Sequence, residues 1–178
     1  GQTHGRENFS EAMSKIRILI IGLGRIGKIH LANLQAMDEV EIIGICDPTD
    51  EAKVFSNKAG IRFYQKNFTD IASEVQTDAI VICSPTDTHA NYVSLAAKKG
   101  IDVFCEKPLD LSLKKVKEVL KTVSESKIKL MLGFNRRFDS EFQSVKEKIV
   151  NGHIGDIHTI KITSRDPSPP PINYIKSS

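Results

Sequence analysis

The fold of this chain is decided by the stretch Ile16-Arg17-Ile18-Leu19-Ile20-Ile21-Gly22-Leu23-Gly24-Arg25-Ile26-Gly27. An apolar run of strand length leads directly into a Gly-x-Gly-x-x-Gly pattern, and apolar residues at helical spacing follow from Lys28 to Ala36. This order predicts a strand, a glycine turn and a helix. Taken alone the glycines are weak evidence, because such clusters also occur in ordinary tight turns.

Each glycine of the pattern has a physical role in a dinucleotide-binding turn. Gly22 allows the tight turn, Gly24 leaves the backbone open to a pyrophosphate, and Gly27 lets the helix lie close to its strand. The start of the helix offers unpaired N–H groups and the positive end of its dipole to an anion. The candidate cofactor-binding residues of this turn are Gly22, Leu23, Gly24, Arg25, Ile26 and Gly27.

An acidic residue stands where such a site requires one. The second predicted strand, 40–46, ends at Asp47, which lies 20 residues after Gly27. A carboxylate at this position accepts hydrogen bonds from the adenosine ribose and repels a 2′-phosphate, so the sequence predicts NAD rather than NADP. Asp47 could instead only start a turn. Arg25 and Lys53 could also add positive charge near the ribose.

Strands and helices continue to alternate along the chain. Thr69 is the expected cap of one helix, and Thr86 or Asp87 of the next, which runs to Lys99. The pattern predicts an α/β fold of the Rossmann type, a doubly wound parallel sheet with ligands at the carboxyl ends of its strands. Further helices are expected over 51–59, 68–75 and 113–126, and further strands over 61–64, 78–83, 101–105 and 129–133.

Composition and charge do not indicate nucleic acid or a membrane as a partner. A net charge of +3, with both signs interspersed, does not indicate nucleic acid or an anionic membrane. No apolar run approaches the roughly 18 residues of a membrane span. Cys46, Cys83 and Cys105 show neither CxxC nor metal-ligand spacing, so we predict reduced core thiols and no metal site. The expected protein is soluble and cytoplasmic.

The tripeptide Glu106-Lys107-Pro108 completes a set of motifs that resembles a known family. The others are Gly-Leu-Gly-Arg-Ile-Gly, Cys-Asp-Pro, Cys-Ser-Pro-Thr-Asp-Thr-His and Gly-Phe-Asn-Arg-Arg-Phe-Asp. From about Lys15 to the C-terminus, the chain is similar to the glucose-fructose oxidoreductase and inositol dehydrogenase family, particularly the myo-inositol 2-dehydrogenases. The resemblance implies an NAD-dependent oxidoreductase that acts on a polyol or sugar hydroxyl.

The resemblance also implies roles for individual residues. Lys107 is expected beside the nicotinamide and the alcohol, where it orients the hydroxyl and helps to move its proton, and the bond before Pro108 is expected to be cis. Arg136 matches a position near polyol substrates. The further residues implied to line the cofactor are Ser84, Pro85, Thr86, His89, Glu106 and Asn135, with His89 and Glu106 near the riboses and Asn135 near the nicotinamide.

Simpler interpretations of several of these residues remain open. A lysine before a helix is often an ordinary surface residue, and Arg136 could be a solvated charge. His89 could belong to a capping turn. His30, one turn after Gly27, is better explained by packing or a backbone bond than by chemistry.

The predicted domain organisation follows from the resemblance. Residues 1–14 are expected to be a tag remnant or a disordered terminus, 15–138 the Rossmann domain, and 139–178 the incomplete beginning of a substrate and oligomerisation domain. A helix is expected over 140–151 and a strand over 156–165, through which the chain would pair with another copy or a partner chain.

In the family the chain continues into a helix that carries an aspartate and a histidine, the partners of the lysine, and the printed sequence ends before it. We therefore expect the cofactor-binding part of an enzyme, not a catalytically complete one. The alternative is an NAD-binding regulatory or interaction module without turnover. A vacant structural domain is disfavoured, because it would need neither the glycines nor Asp47 and Lys107.

Overall fold

A computed structural model describes residues 14–165 and 168–169 of the chain. Strands and helices alternate from residue 16 to residue 132, and a 3-10 helix and a last α-helix follow. The strands are β1 Ile16–Ile21, β2 Val40–Cys46, β3 Phe63–Tyr64, β4 Ala79–Ile82, β5 Asp102–Cys105 and β6 Leu130–Leu132. The helices are α1 Arg25–Gln35, α2 Asp50–Ala59, α3 Phe68–Ile71, α4 Thr86–Lys98, α5 Leu113–Ser126, the 3-10 helix Asn135–Phe138 and α6 Ser140–Val150.

The strands form one parallel sheet in the order β3-β2-β1-β4-β5-β6. This is the doubly wound arrangement predicted from the sequence, and that prediction is confirmed. The strand order reverses between β1 and β4, which leaves a crevice at their carboxyl ends where ligands bind in such folds.

Two apolar layers enclose the sheet. On one face, Leu19 and Ile21 of β1 pack with residues of α3, α4 and α5. On the other face, Ile18 and Ile20 pack with Leu31 of α1 and with α2. Alternate side chains of β1 are therefore buried on opposite faces, which explains why this strand is apolar throughout.

Two predicted helix caps were wrong. Helix α3 is shorter than expected and begins after Asn67, whose N–H donates to the Asp70 carboxylate at 3.3 Å, so Thr69 lies inside it. Helix α4 begins at Thr86, directly after Pro85. The φ angle of Pro85, −56°, already suits entry into a helix, and the Thr88 hydroxyl donates back to the Pro85 carbonyl at 2.7 Å.

The strand predicted over 156–165 was also wrong. These residues form no regular element and are exposed, with Ile160 71% and Ile162 84% accessible. No described strand lies beside them to supply hydrogen bonds, and an unpaired segment does not form a stable strand in water. Helix α6 before them packs against the 3-10 helix and is exposed along most of its length.

Further predictions lie partly or wholly outside the described residues. The expected terminus 1–14 is described only at Ser14, and the end of the last expected domain, 170–178, is not described. Among the described helices, none has the length and apolar character needed to cross a bilayer. The described residues likewise contain no cluster of three or more His, Cys, Asp or Glu side chains suited to a metal ion.

Candidate active site

The carboxyl end of the sheet brings most of the predicted site residues together. Neighbouring strand ends are joined by backbone hydrogen bonds that continue the ladders by one residue. These bonds run from the N–H groups of Gly22, Cys83, Glu106 and Gly133 to the carbonyls of Cys46, Ile21, Ile82 and Cys105, at 2.7 to 2.9 Å. The loops that begin at these positions therefore start side by side along one edge of the sheet, which we call the line of strand ends.

Two glycines of the turn are required by the fold itself. Gly22 has φ +87°, and a Cβ built on it would lie 2.6 Å from the Ser84 amide nitrogen. A Cβ on Gly27 would collide with the Gly22 carbonyl oxygen. The turn thus packs against the loop after β4 and against the first turn of α1, and neither glycine can be replaced without a backbone shift.

Gly24 is different, because no contact inside the protein requires it. A Cβ built on Gly24 would meet no atom within 4 Å, and its backbone is exposed. It is the N-cap of α1 and supplies no side-chain cap, and the first turn of α1 contains no acidic residue. Open space beside uncapped N–H groups fits a pyrophosphate, so the residues present suit a dinucleotide.

Asp47 is buried at the tip of β2, where it orders two loops. Its Oδ2 accepts the Leu23 N–H at 2.8 Å, and its Oδ1 accepts both the N–H and the hydroxyl of Thr49, at 2.8 and 2.5 Å. Thr49 in turn caps α2. The carboxylate therefore fixes the glycine turn as well as standing at the position expected to face a ribose, where its oxygens have lone pairs left to accept further bonds.

A pair between His30 and Glu106 was missed by the sequence analysis. The His30 Nε2 lies 2.7 Å from the Glu106 Oε1, and both side chains are largely buried. The His30 ring also packs edge-on against Phe104, and a Cβ on Gly133 would lie 3.1 Å from the Glu106 carboxyl group. The partner of His30 is thus a side chain and not the backbone. The available signal was its place one turn after Gly27.

Lys107 follows Glu106 at the end of β5 and is exposed. Its N–H donates to the Glu106 Oε2 at 3.3 Å, and the Lys107-Pro108 peptide bond is cis, as the resemblance implied. Lys107 thus follows the strand next to β4, at the same edge of the sheet as the crevice.

The loop after β4 contains Ser84, Pro85 and Thr86. The Ser84 and Thr88 hydroxyls lie 2.6 Å apart, so the loop is tied to the first turn of α4. His89 is 2% exposed, and both of its ring nitrogens lie 2.8 Å from backbone carbonyl oxygens. His89 therefore supports the loop from beneath, through its two carbonyl partners.

Asn135 and Arg136 lie in the 3-10 helix after β6 and are exposed. The Asn135 N–H donates to the Gly133 carbonyl at 2.9 Å, which holds it close to the end of β6. The Arg136 guanidinium stacks over the Phe142 ring of α6, 5.0 Å from its centroid. The structure therefore keeps Asn135 near the shared line of strand ends and directs Arg136 towards α6.

Three thiols lie beneath these loops. Cys46 and Cys105 are buried, Cys83 is partly buried, and all three are free. Burial is the main cause that raises the pKa of each thiol to about 12, and the neighbouring Asp47 or Glu106 carboxylates contribute to the same shift. These cysteines are neutral packing residues under the site.

Comparisons with known proteins agree with this geometry. The chain is 41% identical over 164 residues to inositol 2-dehydrogenase of Rhizobium meliloti (strain 1021), covering 92% of this chain and 49% of that protein. It is 42% identical to myo-inositol 2-dehydrogenase of Thermotoga maritima, with the same coverage. The chain thus spans about half the length of these curated relatives.

A solved structure supports the fold independently. The crystal structure of scyllo-inositol dehydrogenase from Lactobacillus casei, with bound NAD(H) and scyllo-inositol, superposes with a TM-score of 0.75 at 29% identity. It covers 80% of this chain and 43% of that one. Residues 16–134, which include the six described strands and the glycine turn, match the oxidoreductase family with an NAD-binding Rossmann fold (GFO_IDH_MocA). The chain belongs to this family.

Proposed function

We propose that this chain is the cofactor-binding part of an NAD-dependent oxidoreductase that transfers a hydride between an inositol-like polyol or sugar hydroxyl and NAD. One observation carries the proposal. The glycine turn, Asp47 and the exposed Lys107 follow directly on the strand ends that the backbone bonds join. The names of the relatives, which are inositol dehydrogenases, support the substrate class.

In this proposal the chain's own residues bind and orient. The uncapped start of α1 beside Gly24 receives the pyrophosphate, and Asp47 accepts hydrogen bonds from the adenosine ribose. Ser84, Pro85 and Thr86 line the dinucleotide. When bound, the nicotinamide accepts or returns the hydride. Lys107 holds the substrate hydroxyl and helps to carry its proton, and proton transfer by a positioned group contributes about 10² to 10⁴-fold to a rate.

The first test is cofactor binding by the purified chain. NADH titration followed by fluorescence should saturate, and NADPH should bind more weakly, because the buried Asp47 carboxylate opposes an added phosphate. Asp47→Asn removes the charge and also one accepting oxygen, so it should narrow the difference while NADH binding itself weakens. The matched control is Asp38→Asn, which removes the same charge from an exposed turn. Equal or tighter binding of NADPH by the unaltered chain would contradict the preference for NAD.

The second test is turnover. The 178-residue chain contains Lys107, whereas the resemblance places the lysine's aspartate and histidine partners beyond the printed sequence. We therefore expect NADH binding without appreciable polyol oxidation. Substrate-dependent NADH production that disappears in Lys107→Ala would show that a local group completes the site. Lys99→Ala, at the end of α4, is the control.

The alternative function is an NAD-binding regulatory or interaction module. Joining the chain to the second half of a relative separates the two: recovered polyol oxidation supports the enzyme, and a folded but inactive fusion supports the module. Exposed apolar residues of α6 and of 154–162 favour self-association or a partner chain. A cytoplasmic location is part of the same proposal, because reduced thiols suit that compartment.

A further inference from the structure

His89 joins the two loops that carry the proposed cofactor and proton-transfer residues. Its Nε2 lies 2.8 Å from the carbonyl oxygen of Ser84, at the end of β4. Its Nδ1 lies 2.8 Å from the carbonyl oxygen of Pro108, directly after Lys107. The residue is 2% exposed, so water does not substitute for either partner.

Both partners of His89 are acceptors only. A neutral imidazole carries one N–H and can donate to one of them, which would leave a ring-nitrogen lone pair facing a carbonyl oxygen at hydrogen-bond distance. An imidazolium carries two N–H groups and satisfies both carbonyls. A ring lone pair that faces a buried carbonyl oxygen is unfavourable, whereas burial also disfavours the imidazolium, so two donors are favoured only where neighbouring carboxylates offset that desolvation.

The charged residues on the joined segments are compatible with a cation. Asp87 lies in the same turn of α4, and Glu106 and Asp110 flank Pro108. The opposing positive charges are Lys107 and Lys115, whose Nζ lies 3.9 Å from the Asp110 Oδ2. The Asp110 side chain is only 8% exposed. Carboxylates thus outnumber ammonium groups around the bridge.

The bridge lies where the strand ladder ends. The last backbone bond between these segments runs from the Glu106 N–H to the Ile82 carbonyl. Beyond it the chains diverge into Ser84-Pro85-Thr86 on one side and Lys107-Pro108 on the other. Beyond that ladder bond, the two bonds of His89 connect these loops.

We propose that His89, donating from both ring nitrogens, is a positioning residue that holds the Lys107 loop in register with the dinucleotide loop. The inference rests on the proposed function, because the relative position of the two loops matters only if one binds the dinucleotide and the other carries Lys107 to the substrate. Loss of the bridge frees the Lys107 loop while the sheet and α4 remain.

The first experiment measures the protonation of the ring directly. In the 15N-labelled chain at neutral pH, the side-chain nitrogens of His89, assigned by their loss in His89→Gln, should both appear as N–H nitrogens. A signal of the unprotonated type from either nitrogen would overturn the two-donor arrangement. This readout uses the unaltered fold and needs no cofactor.

The second experiment measures the positioning role with NADH as the probe. His89→Gln keeps one donor and should weaken NADH binding about tenfold, a loss of about 1.4 kcal/mol. His153→Gln, in the exposed turn after α6, should bind as the unaltered chain does. If His89→Gln binds NADH unchanged, the positioning role is wrong. If the unaltered chain fails to bind NADH, the proposed function fails instead, and the nitrogen spectrum still decides the two-donor arrangement.

Discussion

The carboxyl end of the sheet and the segment 139–165 differ in how many contacts each makes within the described chain. At the sheet, backbone bonds join the strand ends and two glycines fit with no room for a methyl group. In the segment, α6 and the residues after it leave large apolar side chains in water, including Val150 at 73% and Ile162 at 84% exposure. Burying one such side chain is worth about 1.5 to 3 kcal/mol, so the sheet region is specified by its own contacts and the segment is not.

The largest expected effect is that of Gly27→Ala. The added methyl group would collide with the Gly22 carbonyl, so helix α1 must move away from β1. Overpacking usually lowers the free energy of unfolding by about 1 to 3 kcal/mol, and we expect a loss at the upper end of that range. Urea unfolding should show a lower midpoint, and NADH binding should be lost. A variant as stable as the unaltered chain would show that the turn is not tightly packed.

Gly24→Ala should separate binding from stability. The added Cβ meets nothing within 4 Å, and a φ of −69° suits alanine, so the urea midpoint should stay within error. The same methyl group occupies the space proposed for the pyrophosphate. NADH affinity should fall about tenfold or more, equivalent to about 1.4 kcal/mol. Unchanged affinity would place the pyrophosphate elsewhere.

Alkaline pH should weaken the sheet region through its three thiols. Their pKa values are raised by burial from 9.0 to about 12, so the unfolded chain ionises first as pH increases. The stability that they contribute is complete below pH 9.0 and is lost as pH rises from there towards about 12. Ionisation of the three thiols in the unfolded chain should lower the free energy of unfolding by about 1 kcal/mol at pH 9.

The free energy of unfolding, measured by urea at pH 7, 8 and 9, tests this linkage. A variant with alanine at Cys46, Cys83 and Cys105 is the control, because it should lose less stability over the same range even if it begins less stable. Parallel slopes for the two proteins would contradict the thiol explanation.

The smallest effect on stability is expected in the segment. Ending the chain at Gly152 should change the free energy of unfolding by less than about 0.5 kcal/mol, because the described residues that this removes are exposed and contribute little. Light scattering over a concentration series should nevertheless show that the 178-residue chain self-associates more. If both chains are equally monodisperse monomers, the exposed isoleucines do not mediate pairing.

The contrast also explains how far the sequence could predict the structure. Strand β1, the glycine turn and Asp47 were predictable, because strand period, glycine geometry and spacing are local properties. The bond between His30 and Glu106 was not, since the two residues are 76 positions apart and meet only after β1 and β5 join the same sheet.

The wrong predictions have similar causes. Residues 156–165 have strand-like composition, but a strand requires a neighbour that composition does not supply. The predicted cap at Thr69 was wrong because the helix begins after Asn67, whose N–H donates to the Asp70 carboxylate. The roles of Lys107, Asn135 and Arg136 came from the resemblance, since spacing alone does not identify a hydride-transfer site.

The shielded cysteines make the chain suitable for site-specific fluorescent labelling. Thiol reagents attack the thiolate, which is scarce at neutral pH when the pKa is about 12. A cysteine placed at the exposed Arg137, in the same 3-10 helix as Asn135 but outside the proposed cofactor contacts, would therefore react selectively, with all three native cysteines left in place. A dye there would lie beside the line of strand ends, and the protein could serve as an optical sensor of the cofactor.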